Sequence, residues 1–468
     1  MSVVPNGFLA LLSLAALTLA AAAAERSYPA PAAPKDTSAY GKHYQRSMTL
    51  MATSTAARRN TVRILYYGQS IMGQWWSKSV DADLRRRFPN TDFVTKNLAL
   101  GGFASQYLVR TMHYDVFSFY PDLLVFHVYG SHIEYENIIR EIRRRTSAEI
   151  IMQSDHANVW PQPKAKGNFW TTQKTWDDKM NYFLLPAIAK KYGCAFQPQR
   201  WEWVDYLKAN RLEPKALLSD GVHLNEHGKW LMSELLKRFL VRLPEEPDDE
   251  WRDLVRTVRV GKDVRWRGDR LKLEFEGNRV VALAAAGAAG TAKVLIDGKK
   301  PSELPECYSF TRPSGTPGVG WPGIMKISWK TPPVIEEWTA VCRDFNDKHD
   351  DFKFTVTGSV TGPDGEGSGK KKFVSKSGRI VIEPKDWVFA YDRQVSKKRA
   401  PDNWKVRWKV IGLFTDTYTP PKVAKAAKEY ATVLASNLAN GKHTLELVAT
   451  GGRKPALRAL RVYKPPLK

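Results

Sequence analysis

The sequence predicts a two-part fold, an α/β domain with a parallel sheet followed by an all-β sandwich region. The chain has 468 residues, which is too long for one ordinary domain. From residue 62 to about 242, apolar runs alternate with amphipathic segments, which is typical of a parallel sheet covered by helices on both faces. After about residue 250, short alternating runs between Gly, Pro and Asp turns predict an antiparallel β-sandwich.

Two segments precede the first predicted strand. Residues 1–24 contain an apolar stretch that begins at Phe8 and runs into alanines with an A-x-A cleavage pattern. We interpret them as a signal peptide, with a retained anchor as the alternative, and expect a secreted or periplasmic protein without a stable membrane anchor. Residues 25–61 are rich in Pro, Ala and Ser and are predicted to form a linker.

The predicted α/β domain spans residues 62–245. Its strands are expected in the runs VRILYYG, TDFVTKNLA, PDLLVFHVYG and AEIIMQSD. Its helices are expected in the runs SVDADLRRRF, YENIIREIRRRT, DDKMNYFLLPAIAKKYG and EHGKWLMSELLKRFL. Gly193 is expected to end one helix in a left-handed conformation, and Asn225 is expected to cap the last helix.

The predicted β-sandwich spans residues 250–468 and is expected to be an accessory domain. Its strands are expected in runs such as LKLEFEGNRVVAL, TAKVLIDGKK, DFKFTVTG, WKVRWKVIGLF and LRALRVYK. The run PKVAKAAKEYATVLASNLANG is predicted to be a helix, and GPDGEGSGKKK is predicted to be a loop tip.

Charge and cysteine content restrict the partners and cofactors. The formal net charge is +24, but the basic residues are spread along the chain and no nucleic-acid motif occurs, so we expect no nucleic-acid partner. A carbohydrate is the expected partner, and the charge makes an anionic polysaccharide one candidate. The three cysteines fit no metal-ligand spacing, and at most one disulfide, between Cys307 and Cys342, is expected. We expect no metal and no cofactor.

Polar residues follow the predicted strands at the edge of the sheet where ligands bind. Ser70 follows the first strand, and Asp220 precedes His223 by three residues in a loop before the last helix. At that spacing, a carboxylate can hold one imidazole nitrogen and leave the other as a base for a serine hydroxyl. Each residue alone has an ordinary structural interpretation: Ser70 as the cap of a helix or turn, Asp220 as a turn residue and His223 as a structural residue.

Taken together, these stretches resemble the SGNH (GDSL-like) hydrolase superfamily over about residues 62–240. The resemblance implies a flavodoxin-like parallel sheet for these residues. It does not cover the sandwich that follows, which we expect to be jelly-roll-like. By the family pattern, Ser70 in GQSI is the nucleophile, and Gly102 in NLALGG is the oxyanion-hole glycine. The run DGVHLN matches the last family block, with His223 as base and Asp220 as its orienting acid.

The chain departs from the family pattern at two positions. Gln69 precedes the serine where the family has Asp or Asn, and His132 replaces the Asn of the family's Gly-x-Asn block. An imidazole N–H can also donate to an oxyanion. The oxyanion hole is therefore expected to consist of the backbone N–H groups of Ser70 and Gly102 together with His132.

Further polar and aromatic residues near the strand ends suggest a carbohydrate-binding surface. The predicted substrate-binding residues are His127, Tyr129, Glu134, Asp155, His156, Trp75 and Trp76, with Trp160 as a further stacking platform. The leading hypothesis is a secreted serine carbohydrate esterase that removes acetyl or similar groups from a polysaccharide. One alternative is a polysaccharide lyase or glycoside hydrolase that uses residues His132, Tyr129, Glu134 or Asp155. The other is a non-catalytic glycan-binding protein.

Overall fold

The computed structural model describes residues 28–162, 173–245, 253–287 and 290–468. Residues 31–468 form one compact unit. The predicted signal peptide and the predicted boundary between residues 245 and 250 lie outside the described residues, and the domain bounds stay a prediction. Within the ranges described, no helix has the length and apolar character needed to cross a membrane.

A five-stranded parallel sheet forms the first part of the fold, with strand order β2-β1-β3-β4-β5. The strands are β1 Thr61–Gly68, β2 Asp92–Asn97, β3 Leu123–His127, β4 Glu149–Gln153 and β5 Ala195–Gln197. This order is that of flavodoxin-like doubly wound sheets, so the predicted α/β class is confirmed. The strand order reverses next to β1, which places Ser70 where ligands bind in such sheets.

Helices cover both faces of this sheet. They are α1 Gln45–Ala52, α2 Ser70–Gly73, α3 Ser77–Arg87, α4 Ser105–Phe119, α5 His132–Arg145, α6 Gln173–Lys179, α7 Leu185–Lys191, α8 Gln199–Ala209 and α9 Glu226–Phe239, with a π-helical turn at Met180–Leu184 between α6 and α7. Because side chains alternate along a strand, Ile64 and Tyr66 of β1 pack with α1, α3, α8 and α9. Leu65 and Tyr67 pack on the other face with α4, α5 and α7.

In this part of the fold, the structure agrees with the predictions for two helix ends and differs from the prediction for one segment. Gly193 has φ +56°, and the Asn225 side chain accepts the Gly228 N–H at 3.0 Å, so both predicted caps are confirmed. Within the segment predicted as a linker, α1 is helical, and its Met48 and Met51 side chains are buried in the core. Those apolar side chains give the helix a packed face, which a solvated linker lacks.

Antiparallel sheets form the second part of the fold, as predicted. Their strands are β6 Val255–Arg259, β7 Arg270–Ala284, β8 Thr291–Ile296, β9 Tyr308–Phe310, β10 Glu337–Arg343, β11 Lys353–Gly358, β12 Gly362–Ser368, β13 Phe373–Val374, β14 Val381–Ile382, β15 Trp404–Gly412, β16 Thr417–Tyr418, β17 Ala431–Thr450 and β18 Leu457–Tyr463. The α-helix α10 Phe389–Ser396 and short 3-10 turns lie between them. One sheet has the order β12-β11-β10-β15-β9 and a second has the order β16-β8-β17-β7-β18-β6.

Two expectations for this region are wrong, and the one disulfide that the sequence allowed is absent. Residues 431–441 of the run predicted as a late helix belong to β17, because pairing with β7 and burial of Leu434 and Leu438 outweigh the alanine-rich helix propensity. The predicted loop tip contains β12, which pairs with β11 across a bulge. The cysteines are free and buried, and Cys307 and Cys342 belong to different apolar clusters, so the expected disulfide does not form.

Candidate active site

Ser70 lies at the end of the central strand, where the chain turns sharply into α2. At Gly68, β1 passes so close to β3 that an added Cβ would lie 1.9 Å from the His127 carbonyl oxygen. A residue with a side chain therefore cannot occupy this position without moving the backbone. Ser70 follows two residues later and is partly exposed. The apolar strand stops at Gly-Gln-Ser because the turn brings the hydroxyl to the edge of the sheet.

Three side chains that are distant in the sequence form a hydrogen-bonded chain at this edge. The Nε2 atom of His223 lies 3.0 Å from the Oγ atom of Ser70. Its Nδ1 atom lies 2.8 Å from the Oδ2 atom of Asp220. The structure thus brings together the hydroxyl, imidazole and carboxylate that the sequence analysis selected, in the order that nucleophilic catalysis needs.

The Asp220 carboxylate is held by its own loop. Its Oδ1 atom accepts the backbone N–H groups of Val222 and His223, each at 2.7 Å. The His223 N–H, the His223 ring and the Val222 N–H lower the pKa of Asp220 to about 2. A carboxylate at Nδ1 favours the tautomer that carries its proton there, which leaves Nε2 to accept the Ser70 proton.

Gln74 fixes the loop that carries His223. Its Nε2 atom donates to the Leu224 carbonyl at 2.8 Å, and its Oε1 atom accepts the Leu224 N–H at 2.9 Å. Both backbone groups of Leu224 are therefore tied to the segment that follows Ser70. The sequence analysis missed this residue, since the two partners are 150 positions apart and no local motif marks a glutamine for this role.

The predicted oxyanion glycine lies in a loop beside Ser70. A Cβ added at Gly101 would lie 3.7 Å from the Ser70 Cβ, and the Leu100 N–H donates to the Gly68 carbonyl at 2.9 Å. Gly102 has φ +78°, a left-handed conformation that favours glycine. The ends of β1 and β2 thus place the glycine pair next to the hydroxyl.

His132, the third expected oxyanion donor, begins α5. Its ring centroid lies 5.4 Å from that of Trp176, at an interplanar angle of 56°. In the part of the chain that the structure describes, it makes no hydrogen bond to Ser70 or His223. Its role in an oxyanion hole stays a proposal. Across the same ranges, no group of three or more His, Cys, Asp and Glu side chains is arranged to hold a metal ion.

Three of the predicted substrate-binding residues form an internal cluster. The His127 Nε2 and the His156 N–H contact the Asp155 Oδ1 at 3.0 and 2.9 Å, and both histidines are buried. Burial raises the pKa of Asp155, but the nearby His156 and His127 outweigh this and hold it well below its ordinary value. The His156 Nε2 also lies 2.9 Å from the Val222 carbonyl. We therefore correct the predicted direct substrate contact of the two histidines, because both are buried and His156 instead contacts the backbone of the His223 loop.

Tyr129 follows β3 and Glu134 lies in the first turn of α5, and both are partly exposed. The Glu134 carboxylate accepts a hydrogen bond from the Asn137 side chain at 3.1 Å. The backbone N–H of Glu134 donates to the Ser131 Oγ. Tyr129 is next to Asp177, whose pKa is raised to about 6 by burial and by the charge of Asp155. Both positions are compatible with a role in substrate binding.

The two adjacent tryptophans after Ser70 have different environments. Trp75 has φ +63° and is 53% exposed, and the Lys78 ammonium lies 5.0 Å from its ring centroid. Trp76 is 3% exposed, and its indole N–H donates to the Ile71 carbonyl at 2.9 Å. The predicted sugar contact is therefore corrected for Trp76, whose faces are packed in the core, and kept as a proposal for Trp75. Trp160, expected as a further platform, donates to Glu213 at 2.7 Å.

The β region contributes contacts to the glycine pair that the sequence analysis did not foresee. The Trp321 indole N–H donates to the Gly101 carbonyl at 2.6 Å. The Tyr391 hydroxyl donates to the Gly102 carbonyl at 3.0 Å. No feature of the sequence connects Trp321 and Tyr391 with their partners, which are 220 and 289 positions away.

Comparisons with known proteins found similarity to solved structures only. No protein-family model and no curated protein matches the sequence. A solved two-domain esterase active on acetylated mannans, co-crystallised with mannopentaose, matches 91% of this chain and 96% of its own at 13% identity and a TM-score of 0.34. The acetyl xylan esterase AlAXEase matches 38% of this chain and 100% of its own at 16% identity and a TM-score of 0.32. The acetylxylan esterase Axe2 from Geobacillus stearothermophilus matches 38% and 93% of the two chains at 16% identity and a TM-score of 0.32. These identities and TM-scores are too low to indicate a function, so the function is inferred from the geometry of the site alone.

Proposed function

We propose that this protein is a serine hydrolase of ester bonds, a carbohydrate esterase that removes acetyl or similar acyl groups from a polysaccharide. The observation that carries the proposal is the hydrogen-bonded chain from Ser70 through His223 to Asp220. A serine hydroxyl beside such a base can lose its proton and attack an acyl carbon. A serine with only a structural role needs no such base.

The proposed reaction has two halves. The Ser70 Oγ attacks the acyl carbon while the His223 Nε2 takes its proton, and Asp220 stabilises the imidazolium that forms. The backbone N–H groups of Ser70 and Gly102, with the His132 imidazole as a third donor, stabilise the oxyanion. The intermediate collapses as His223 returns the proton to the leaving sugar hydroxyl. A water molecule, deprotonated by His223, then releases the acyl group as a carboxylic acid and restores Ser70.

A sugar is the proposed leaving group on the basis of the surface near Ser70. Trp75 exposes an aromatic face there, and aromatic faces stack on the apolar side of sugar rings. The signal-like segment 1–24 supports a secreted or periplasmic enzyme, where polysaccharides are encountered. The net charge of +24 would attract a polymer that also carries acidic groups.

Cleavage of a glycosidic bond is the less favoured function. It would need a carboxylic acid able to protonate a leaving oxygen, and Asp155 is held ionised between two histidines. Glu134, the other predicted carboxyl group, is tied to Asn137. Neither arrangement favours proton donation to a sugar oxygen.

The test is hydrolysis of p-nitrophenyl acetate, and of an acetylated polysaccharide by release of acetate. We expect turnover by the wild type and a loss of about 10⁵-fold or more in kcat for Ser70→Ala, because the nucleophile is gone. The exposed Ser79 on α3 gives the matched control, and Ser79→Ala should keep wild-type activity. A fluorophosphonate should label the wild type but not Ser70→Ala.

Other outcomes identify the alternatives. Glycan binding without turnover or labelling would indicate a binding protein. Chain cleavage that persists in Ser70→Ala but is lost in His132→Ala would indicate a lyase or glycoside hydrolase.

A further inference from the structure

The glycine pair beside Ser70 is held from the β region through its carbonyl oxygens. Trp321, in the segment between β9 and β10, is 5% exposed and donates its indole N–H to the Gly101 oxygen at 2.6 Å. Tyr391 of α10 donates its hydroxyl to the Gly102 oxygen at 3.0 Å. Both carbonyls of the predicted oxyanion loop are therefore bound by side chains from outside the α/β part.

Ring packing holds these two donors in place. The Trp321 and Tyr391 rings are stacked at 4.6 Å with an interplanar angle of 18°, and Tyr391 stacks on Tyr107 of α4 at 4.6 Å and 22°. Phe103, the next residue after the glycine pair, packs edge-on against Trp321 at 5.1 Å. Rings packed in this way have little rotational freedom, so the two donors keep their direction.

An ion pair anchors the segment that leads to Trp321. The Arg312 guanidinium lies 2.8 Å from the buried Asp115 carboxylate of α4 and donates to the Leu98 carbonyl at 3.0 Å. Leu98 is three residues before Gly101, so the same loop is bound by the β region at both its start and its end. These contacts from the β region are therefore a fixed part of the surroundings of the loop.

The Gly102 position requires a glycine for two separate reasons. Its φ of +78° is unfavourable for residues with a side chain, and an added Cβ would lie 2.5 Å from the Trp321 Cζ2. The indole thus packs directly against the backbone that is proposed to bind the oxyanion.

We propose that Trp321 is a positioning residue that aims the Gly102 N–H of the oxyanion hole, so that the β region completes the active site. The inference rests on the proposed esterase function. The Gly101 C=O and the Gly102 N–H belong to one trans peptide unit and point in opposite directions. A donor that fixes the carbonyl therefore fixes the direction of the N–H, and it also polarises the N–H toward an oxyanion.

The test compares Trp321→Phe with a matched tryptophan variant in the full chain. Trp408 is 2% exposed, stacks on Trp338, and has an indole N–H without a hydrogen-bond partner in the ranges described. Trp408→Phe therefore measures the loss of packing alone. Loss of a direct oxyanion donor costs about 10²–10³ in kcat. Because Trp321 acts through a peptide, we expect a fall of about tenfold or more for Trp321→Phe.

The kinetic constants distinguish a positioning role of Trp321 from a merely structural one. We expect KM for p-nitrophenyl acetate and the shape of the pH–rate profile to stay as in the wild type, because Ser70, His223 and Asp220 are untouched. We expect Trp408→Phe to keep kcat within twofold. Equal kcat values for Trp321→Phe and Trp408→Phe would overturn the inference, as would a fall in kcat accompanied by a shifted pH profile.

Tyr391→Phe keeps the ring stack and the Trp321 bond, and it removes only the donor to the Gly102 carbonyl, which belongs to the next peptide unit, between Gly102 and Phe103. If Trp321→Phe does not fold, this variant tests whether a donor from the β region restrains the Gly102 backbone from its other side. A fall of about threefold or more in kcat at constant KM would support positioning from the β region, and wild-type kcat would overturn it. Ser70→Ala separates this result from the proposed function. Turnover that depends on Ser70 but not on Trp321 or Tyr391 overturns the inference alone, and absence of Ser70-dependent turnover overturns both.

Discussion

At the scale of single residues, the charge on Asp220 controls what His223 can do. The carboxylate accepts two backbone N–H groups and the His223 ring, and these contacts keep the pKa of Asp220 near 2. Asp220 therefore stays ionised at neutral pH. An ionised partner orients the ring and offsets the positive charge that the ring acquires during catalysis.

We predict that Asp220→Asn lowers kcat for p-nitrophenyl acetate by about 10³–10⁴-fold, because an amide favours the wrong imidazole tautomer. KM should change little. Asp263 provides the control, since its carboxylate also accepts a backbone N–H, that of Arg259, in an exposed loop. Asp263→Asn should keep wild-type rates. A loss of less than tenfold in Asp220→Asn would contradict the assigned role.

The residue-scale features of the site differ in how far the sequence predicted them. Asp220 and His223 were predictable because they are three residues apart in one loop, and Ser70 because it ends an apolar strand. Gln74 was not predictable, because its partner Leu224 lies in a different segment. Trp76 was misassigned, since two adjacent tryptophans look alike in sequence although only Trp75 is exposed.

At the scale of elements, the site depends on how the segment after β1 is joined to the loop before α9. Gln74 makes two hydrogen bonds to the backbone of Leu224, which follows His223 directly. The Asn225 side chain caps α9 one residue later. The His223 ring is thus held between a side-chain clamp and a helix end.

We predict that Gln74→Ala lowers kcat by about tenfold and stability by about 1–2 kcal/mol, because both Leu224 groups lose their partner. Gln74→Glu is the matched variant, since it keeps the acceptor for the Leu224 N–H and loses only the donor to its carbonyl. It should give an intermediate kcat. Steady-state kinetics and urea unfolding measure the two effects, and equal activity of all three proteins would rule out the clamp.

At the scale of the whole molecule, three buried or partly buried carboxyl groups make stability depend on pH. Burial raises the pKa of Asp81, Asp177 and Asp386 from 3.8 to about 6. Between about pH 4 and 6, the folded chain keeps protons on these groups that the unfolded chain has released. Their effect is therefore to decrease the free energy of unfolding as the pH rises through this interval, and to leave it constant above.

We predict that Asp81→Asn reduces this loss of stability. An amide stays neutral and can still accept the Tyr66 hydroxyl that contacts Asp81 at 3.0 Å. Relative to the wild type, the variant should gain about 1–2 kcal/mol of unfolding free energy as the pH rises from about 4 to about 6. Urea unfolding at several pH values measures the difference. Parallel curves for the two proteins would show that burial does not shift the protonation of this carboxyl.

The sequence by itself determined the α/β and all-β classes, the central strands, the caps at Gly193 and Asn225, and the selection of Ser70, Asp220 and His223. These follow from periodicity and short spacings, which act between neighbours in the chain. Only the tertiary structure decided that residues 431–441 of an alanine-rich run join β17, that Gln74 holds Leu224, and that Trp321 and Tyr391 bind the glycine pair. Those contacts join residues that are distant along the chain, where packing and pairing outweigh local preference.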